Sequence, residues 1–412
     1  MSTATKDLLS ARVRGQLDAP SEICTAFEEA ALLTSAYGAE NVFNLCIGNP
    51  EIPAPPEVAQ AIEAIAAEDA AAAGGGAPNP YGSMCDAGFP EVRAAVADRL
   101  NGRYGTAYTQ ENVIMTAGTA CGMNIVLGSI LDPGDEVIVF APYDPAYRRF
   151  IENFGGRMVT VATPAPSFQP SARALARAIR PRTKAVIVNS PNNPTGTIYS
   201  AETLQAIGQA LEGTGVLLLS DEPYRDLVFD GAQVPYPALF CENTVSVYSF
   251  GTSLSIPGER IGYAVVPDTV RDAADLRRAL RATLGNLGYM NAPAFFQRVV
   301  ARCLDARVDL ATYDRNRTAL VDALLALGFK VNPPRGGFYL FLKTPCPEAE
   351  FIERALGHNL VMVGGSAFGL RGYARISLCV RHETILAALP AFAALADELG
   401  LTPAPTDRNG LA

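Results

Sequence analysis

The 412-residue chain predicts an α/β protein: a large domain on a seven-stranded, mostly parallel, doubly wound sheet, plus a smaller α/β domain. Three observations carry this. Between residues 112 and 267, seven short β-branched runs stand out (112–117, 136–141, 157–162, 184–190, 215–220, 244–250 and 261–266), and helical segments (120–131, 145–154, 171–180, 201–213) alternate with several of them. Turn chemistry separates the runs, as in Pro133-Gly134-Asp135 and in Ser190 to Gly196. After about residue 290 the pattern changes to a long helix from Ala292 to Leu327, strands near 337–343 and 374–380, and a final helix from His382 to Leu399.

Before the sheet, an arm precedes a helix from Glu22 to Tyr37. Residues 44–56 are Pro-rich and extended. An Ala-rich helix (Pro56 to Ala73) runs into a Gly-rich turn at 74–76. The helix from Gly88 to Tyr104 carries Val92, Ala95, Val96 and Leu100 at helical spacing. The expected division is an arm (1–20), a large domain (60–290), a small domain from 21–59 with 291–400, and a flexible tail (401–412).

A net charge of −9 without a basic stripe argues against nucleic-acid binding. No apolar run is long enough to span a membrane, and the start lacks the apolar centre of a signal peptide. The eight cysteines form no C-x-x-C pair and read as small buried hydrophobes in a reducing, cytoplasmic setting, with no zinc or other metal site.

The polar motifs fall at strand ends, where open α/β sheets bind ligands. Asp221 closes an apolar strand, and Tyr224 follows three residues later. A carboxylate there needs a cation or strong donors; it either caps the next segment or receives a protonated ligand atom. Asn193 lies in Asn192-Asn193-Pro194-Thr195-Gly196, which alone is an ordinary turn. Thr116 to Ala120 joins a strand to a helix, so the N–H groups of Thr119 and Ala120 form either a phosphate site or a compact helix start. Tyr143 is either core or a stacking plate. Arg260 and Arg375 sit beside apolar strand residues, where an arginine pairs with a carboxylate, a phosphate or backbone.

In order, these motifs resemble the fold type I enzymes dependent on pyridoxal phosphate (PLP), class I/II aminotransferases of the aspartate aminotransferase superfamily. The resemblance spans roughly residues 10–400 and includes Pro90-Glu91-Val92-Arg93, Asn193 to Gly196 and Gly365-Ser366-Ala367-Phe368-Gly369. It implies the PLP-dependent transferase fold and a homodimer acting on an amino acid or keto acid. It implies that Asp221 keeps the ring nitrogen protonated, that Tyr224 and Asn193 bond the ring oxygen, and that Tyr143 and Pro223 cover the ring faces. Thr119, Ala120, Ser249 and Arg260 would hold the phosphate. Arg375, with the backbone of Gly48, would grip the substrate α-carboxylate.

The segment Tyr248 to Tyr263 resembles the family's Ser-x-Ser-Lys-x-x-x-x-x-Gly-x-Arg-x-Gly, with Ser249, Gly258, Arg260 and Gly262 in place. The slot of the Schiff-base lysine holds Thr252, and Gly251 precedes it. Ser83 stands where the family has a tyrosine that reaches the neighbouring subunit's phosphate; Tyr81, two residues earlier, is the alternative. The family lysine links covalently to the cofactor and moves the substrate proton. Threonine does neither unaided. The four lysines, Lys6, Lys184, Lys330 and Lys343, all read as lying away from the site, and His358 and His382 as helix-boundary residues.

Four accounts follow: a natural lysine-free enzyme that binds PLP non-covalently, or as pyridoxamine phosphate (PMP) or an amino-acid adduct; an ordinary aminotransferase whose lysine was mutated to trap an adduct; a non-catalytic homologue that binds such an adduct; or a fold that has abandoned PLP. The added departures at Gly251 and Ser83 favour the first. Thr252, Tyr224 and Asp221 are then the candidate catalytic residues.

Overall fold

The computed structural model describes residues 8–18, 21–72 and 79–402. The Gly-rich turn at 74–76 and almost all of the tail lie outside the described residues.

A two-residue strand comes first, β1 (Phe43–Asn44). The central sheet follows: β2 (Val113–Thr116), β3 (Glu136–Ala141), β4 (Arg157–Ala162), β5 (Thr183–Asn189), β6 (Leu217–Asp221), β7 (Thr244–Ser249) and β8 (Gly262–Val265). Its order is β2-β8-β7-β6-β5-β3-β4, and β8 alone runs against the others. The predicted seven-stranded, mostly parallel sheet is therefore present. Five further short strands follow: β9 (Lys330–Asn332), β10 (Tyr339–Lys343), β11 (Leu360–Val361), β12 (Val363–Gly364) and β13 (Tyr373–Ser377). Four of them form a second, antiparallel sheet, β12-β13-β10-β9, while β11 pairs in parallel with β1.

The central strands are buried on both faces, as parallel sheets require. Alternation assigns each residue to a face. Val137, Val139, Ile187 and Leu219 enter one apolar cluster with the helix Gly118–Ile130. Ile138, Phe140, Val186 and Leu218 enter another, against the helix Ala201–Leu211. The second sheet packs its own core, with Leu340, Leu342, Ala374 and Ile376 against the helices Leu310–Ala326 and His382–Glu398.

Three expectations need correction. The helix expected over 292–327 is two helices, Ala294–Arg302 and Leu310–Ala326. Asp309 ends the gap by capping the second, its side chain accepting from the N–H groups of Ala311 and Thr312. Three helices went unread, Ala11–Asp18 inside the expected arm and two later ones. Ala273–Asn286 buries Leu280 and Leu284, and Glu348–Gly357 buries Phe351 and Ala355, each pair at i, i+4 spacing. Finally, Cys24 and Cys85 are exposed and Cys346 is half-buried; the other five cysteines are buried.

Candidate active site

The carboxyl ends of β2, β3, β5, β6 and β7 share one edge of the central sheet, and antiparallel β8 starts there. Asp221 ends β6 opposite Asn189 of β5. Asn189 ties the two together: its Nδ2 donates to Asp221 O at 2.9 Å, and its Oδ1 accepts from the N–H of Asn193 at 2.7 Å. Asp221 is buried. Tyr147 donates its hydroxyl to Oδ2 at 2.5 Å, while Oδ1 has no partner among the described residues. Burial pushes the Asp221 carboxyl up to about 7. The Tyr147 hydrogen bond opposes this, and Asp144 and Glu222 add to it. Burial also holds the Tyr147 phenol far above its ordinary range, so it stays a donor.

The second sheet sends Arg375 across to this edge from the middle of β13. Its guanidinium lies between the rings of Tyr339 (4.2 Å) and Phe368 (4.7 Å). Nη1 donates to Asn193 Oδ1 at 3.1 Å and Nη2 to Cys46 O at 2.6 Å; Nε has no partner among the described residues. Arg375 is 2% exposed, and no described carboxylate pairs with it. Asn193 turns its other end to Asp144, donating from Nδ2 to Oδ2 at 2.8 Å. Tyr224 is buried edge-on to Phe338 and Tyr339. Gly48 meets the same group: a Cβ there would lie 1.7 Å from the Tyr339 hydroxyl oxygen, so the chain passes only without a side chain.

At the other end of the edge, Thr119 and Ala120 lie in the first turn of the helix Gly118–Ile130, where N–H groups lack helical partners. Arg260 is held at φ +50° and bonds carbonyls on both sides, Pro257 O at 2.9 Å and Ala117 O at 3.4 Å. Its guanidinium thus crosses the helix start. Gly118 permits this approach, because a Cβ there would meet Arg260 Nη2 at 2.8 Å. Ser249 ends β7, and its hydroxyl accepts from the N–H of Gly251 at 3.2 Å. Thr252 is half-buried in the single turn Phe250–Ser253 directly after it.

Most candidate residues therefore share one edge. Tyr143 is buried in an apolar cluster, and its ring would lie 2.5 Å from a Cβ on Gly369. Tyr81 and Ser83 are exposed, and Tyr81 stacks on Phe295 with ring centroids 6.4 Å apart. Lys184 stands at the opposite end of β5, 3.7 Å from Asp135; Lys330 and Lys343 are exposed on the second sheet. His358 bonds Glu398 at 2.7 Å and His382 bonds Asn316 at 2.8 Å, both at helix ends. Sequence reasoning missed Asp144, Tyr147 and Tyr339. Asp144 carried a readable signal, being a carboxylate just past a strand end like Asp221. Tyr147 had only its one-turn spacing from Tyr143, and Tyr339 had none.

The chain belongs to the aminotransferase class I and II family, whose sequence model matches residues 40–392. It is 36% identical over 313 residues to a probable aspartate/prephenate aminotransferase of Thermus aquaticus, covering 74% of this chain and 82% of that protein. It is 30% identical over 355 residues to an aspartate aminotransferase of Thermotoga maritima, covering 85% and 90%. Among solved structures, an aminotransferase from Eubacterium rectale superposes with a TM-score of 0.90 at 36% identity, covering 95% of this chain and all of that one. The Thermus thermophilus aspartate aminotransferase with maleate gives a TM-score of 0.84 at 31% identity, with coverage of 95% and 100%. The protein is thus an enzyme of the aminotransferase type with the fold type I architecture, in a family that works on amino acids with PLP.

Proposed function

We propose that this chain holds PLP, PMP or an amino-acid adduct of PLP without a covalent bond, and acts on an amino acid through its α-amino and α-carboxylate groups without a catalytic lysine. One observation carries the reading: Asp221 Oδ1 is a buried carboxylate oxygen with no partner, beside an Oδ2 already held by Tyr147. A protonated ring nitrogen fits that atom. Asn193 and Tyr224 would hold the ring oxygen, with Tyr143 and Pro223 beside the ring. The first-turn N–H groups of Thr119 and Ala120, with Ser249 and Arg260, would hold the phosphate. Arg375, whose buried charge has no counter-ion among the described residues, and the Gly48 backbone would take the carboxylate.

Bound there, the cofactor supplies an electron sink for the bonds at the substrate Cα. Thr252 fills the lysine slot, so covalent anchoring is lost. Proton movement falls to Tyr224, Thr252, water or a substrate group. Loss of a positioned base alone lowers the rate by roughly two to four orders of magnitude. With this reading go a cytoplasmic homodimer, the domain division at about 60 and 290, and no nucleic-acid or membrane partner. No described helix is long and apolar enough to cross a membrane.

The test is PLP titration followed by absorbance, then borohydride and intact mass. Saturable binding with no mass gain is expected. Failure of PLP, PMP and amino-acid adducts to bind would replace this reading with the cofactor-free one. Thr252→Lys should gain a borohydride-fixable link. Brisk multiple-turnover transamination by the unaltered chain would show that Thr252 does not occupy the decisive slot.

A further inference from the structure

The proposed cofactor and carboxylate contacts leave one charged group of the site unused. Asp144 accepts from the N–H of Ala146 at 2.9 Å through Oδ1 and from Asn193 Nδ2 at 2.8 Å through Oδ2. Both donors are neutral, and no described Lys, Arg or His forms an ion pair with it. Its charge acts on Tyr147, Asp221, Tyr224 and Tyr339 alike, so it belongs to the site and not to the rim. The same amide that donates to Asp144 accepts from Arg375 at 3.1 Å. One asparagine therefore separates an unmatched anion from an unmatched, buried cation whose Nε lacks a partner.

Unmatched charges in a partly dry site are stabilised when a ligand brings the opposite charges. Asn193 spans about 2.2 Å between its nitrogen and oxygen, so Asp144 and Arg375 stand within about 8 Å of each other. An α-amino acid with one hydrogen bond at each end reaches about that far. We infer that Asp144 is a substrate-binding residue that receives a cationic nitrogen of the ligand while Arg375 takes its carboxylate, so that the site prefers neutral and basic amino acids to dicarboxylic ones. The inference rests on the amino-acid reading of the site given above. A side-chain carboxylate would face Asp144 with Asp221 close by, a repulsion between like charges. The nitrogen has two possible sources, the α-amino group and a basic side chain.

The test is calorimetric titration of the cofactor-free protein with reduced pyridoxyl-phosphate adducts of L-norleucine, L-lysine and L-glutamate. The unaltered chain should bind the norleucine and lysine adducts at least about tenfold more tightly than the glutamate adduct, and Asp144→Asn should shrink that gap about tenfold. Asparagine keeps the size of the side chain and an oxygen for Ala146, and thermal melting checks that the variant is folded. Equal weakening of the norleucine and lysine adducts by Asp144→Asn assigns the α-nitrogen; weakening of the lysine adduct alone assigns the side chain; either supports the proposal. Asp144→Glu, which keeps the charge, must retain the discrimination. An unchanged ranking in folded Asp144→Asn overturns the role of Asp144 and leaves the proposed function standing. Failure of every adduct to bind the unaltered chain overturns both.

Discussion

The six residues from Asp221 to Asp226 feed two buried charge clusters built on opposite terms. On one side lie Glu222, Arg225 and Asp226. Arg225 pairs with Glu222 at 2.6 Å, donates to the Tyr263 hydroxyl at 2.5 Å, and lies over the rings of Tyr104, Tyr236 and Tyr248. Asp226 receives Arg103, Arg307 at 3.8 Å and the Tyr248 hydroxyl at 2.5 Å. Burial opposes ionisation of Asp226, but Arg225, Arg103 and Arg307 outweigh it and hold the carboxyl well below its usual range. On the other side, Asp221, Asp144 and Arg375 face the strand-end edge with only neutral amide and hydroxyl partners between them. Both clusters contain single unbonded atoms, Glu222 Oε1 and Arg225 Nε as well as Asp221 Oδ1 and Arg375 Nε. What separates them is charge. The first cluster pairs each of its carboxylates with an arginine and so supports the fold. The second stays open, as the proposed binding site requires.

The largest expected effect would break the closed side. Arg225→Met leaves Glu222 buried without its cation, and urea denaturation should show a loss of about 3–5 kcal/mol. A loss under 1 kcal/mol would mean the cluster is not what holds that region.

The next effect sharpens the open side through pH. Asp221 titrates near 7 in the fold, against roughly 4 for a free aspartate. A raised carboxyl contributes stability below pH 4 that is lost as pH climbs to 7. Cofactor-free Asp221→Asn lacks this loss, so by pH 8 it should be more stable than the unaltered chain by up to about 4 kcal/mol, with the difference vanishing near pH 4. Denaturation at several pH values checks the slope. Added PLP should erase the advantage.

Arg375→Met should lower the affinity for a carboxylate-bearing adduct by about 2–3 kcal/mol while changing the stability of the ligand-free protein far less than Arg225→Met does. Equal destabilisation by the two substitutions would dissolve the contrast between the clusters. Gly48→Ala is the mildest. It forces Tyr339 away from its place over Arg375 and should cost about 1–2 kcal/mol of binding with a smaller change in melting, read by calorimetry and thermal unfolding.

Much of this was legible in the sequence, for physical reasons. Strands β3 and β4 were read to the residue because Glu136 to Ala141 and Arg157 to Ala162 are bounded by Gly and Pro turns. Asp221, Asn193 and Arg260 were singled out because strand ends concentrate polar function. The helix break at 303–309 was missed because the apolar pattern runs on through Leu304, Ala306 and Val308, although Asp309 offered a cap. Tyr339 was not legible at all. Its partners, Gly48, Tyr224 and Arg375, come from three distant segments, and only the packing of the second sheet on the first joins them. Asp144 was passed over because attention went to the buried aromatic Tyr143 beside it.

The lysine at the start of β5 has an analytical consequence. Lys184 points away from the strand-end edge, Lys330 and Lys343 lie on the second sheet, and Lys6 completes the set. A digest of this protein therefore contains four peptides able to carry an amine-linked tag, with no described member at the site. Mass mapping of any reductively trapped aldehyde starts from an almost blank background. A single new signal at position 252 in a lysine-restored variant would be readable without separating it from a crowd of surface amines.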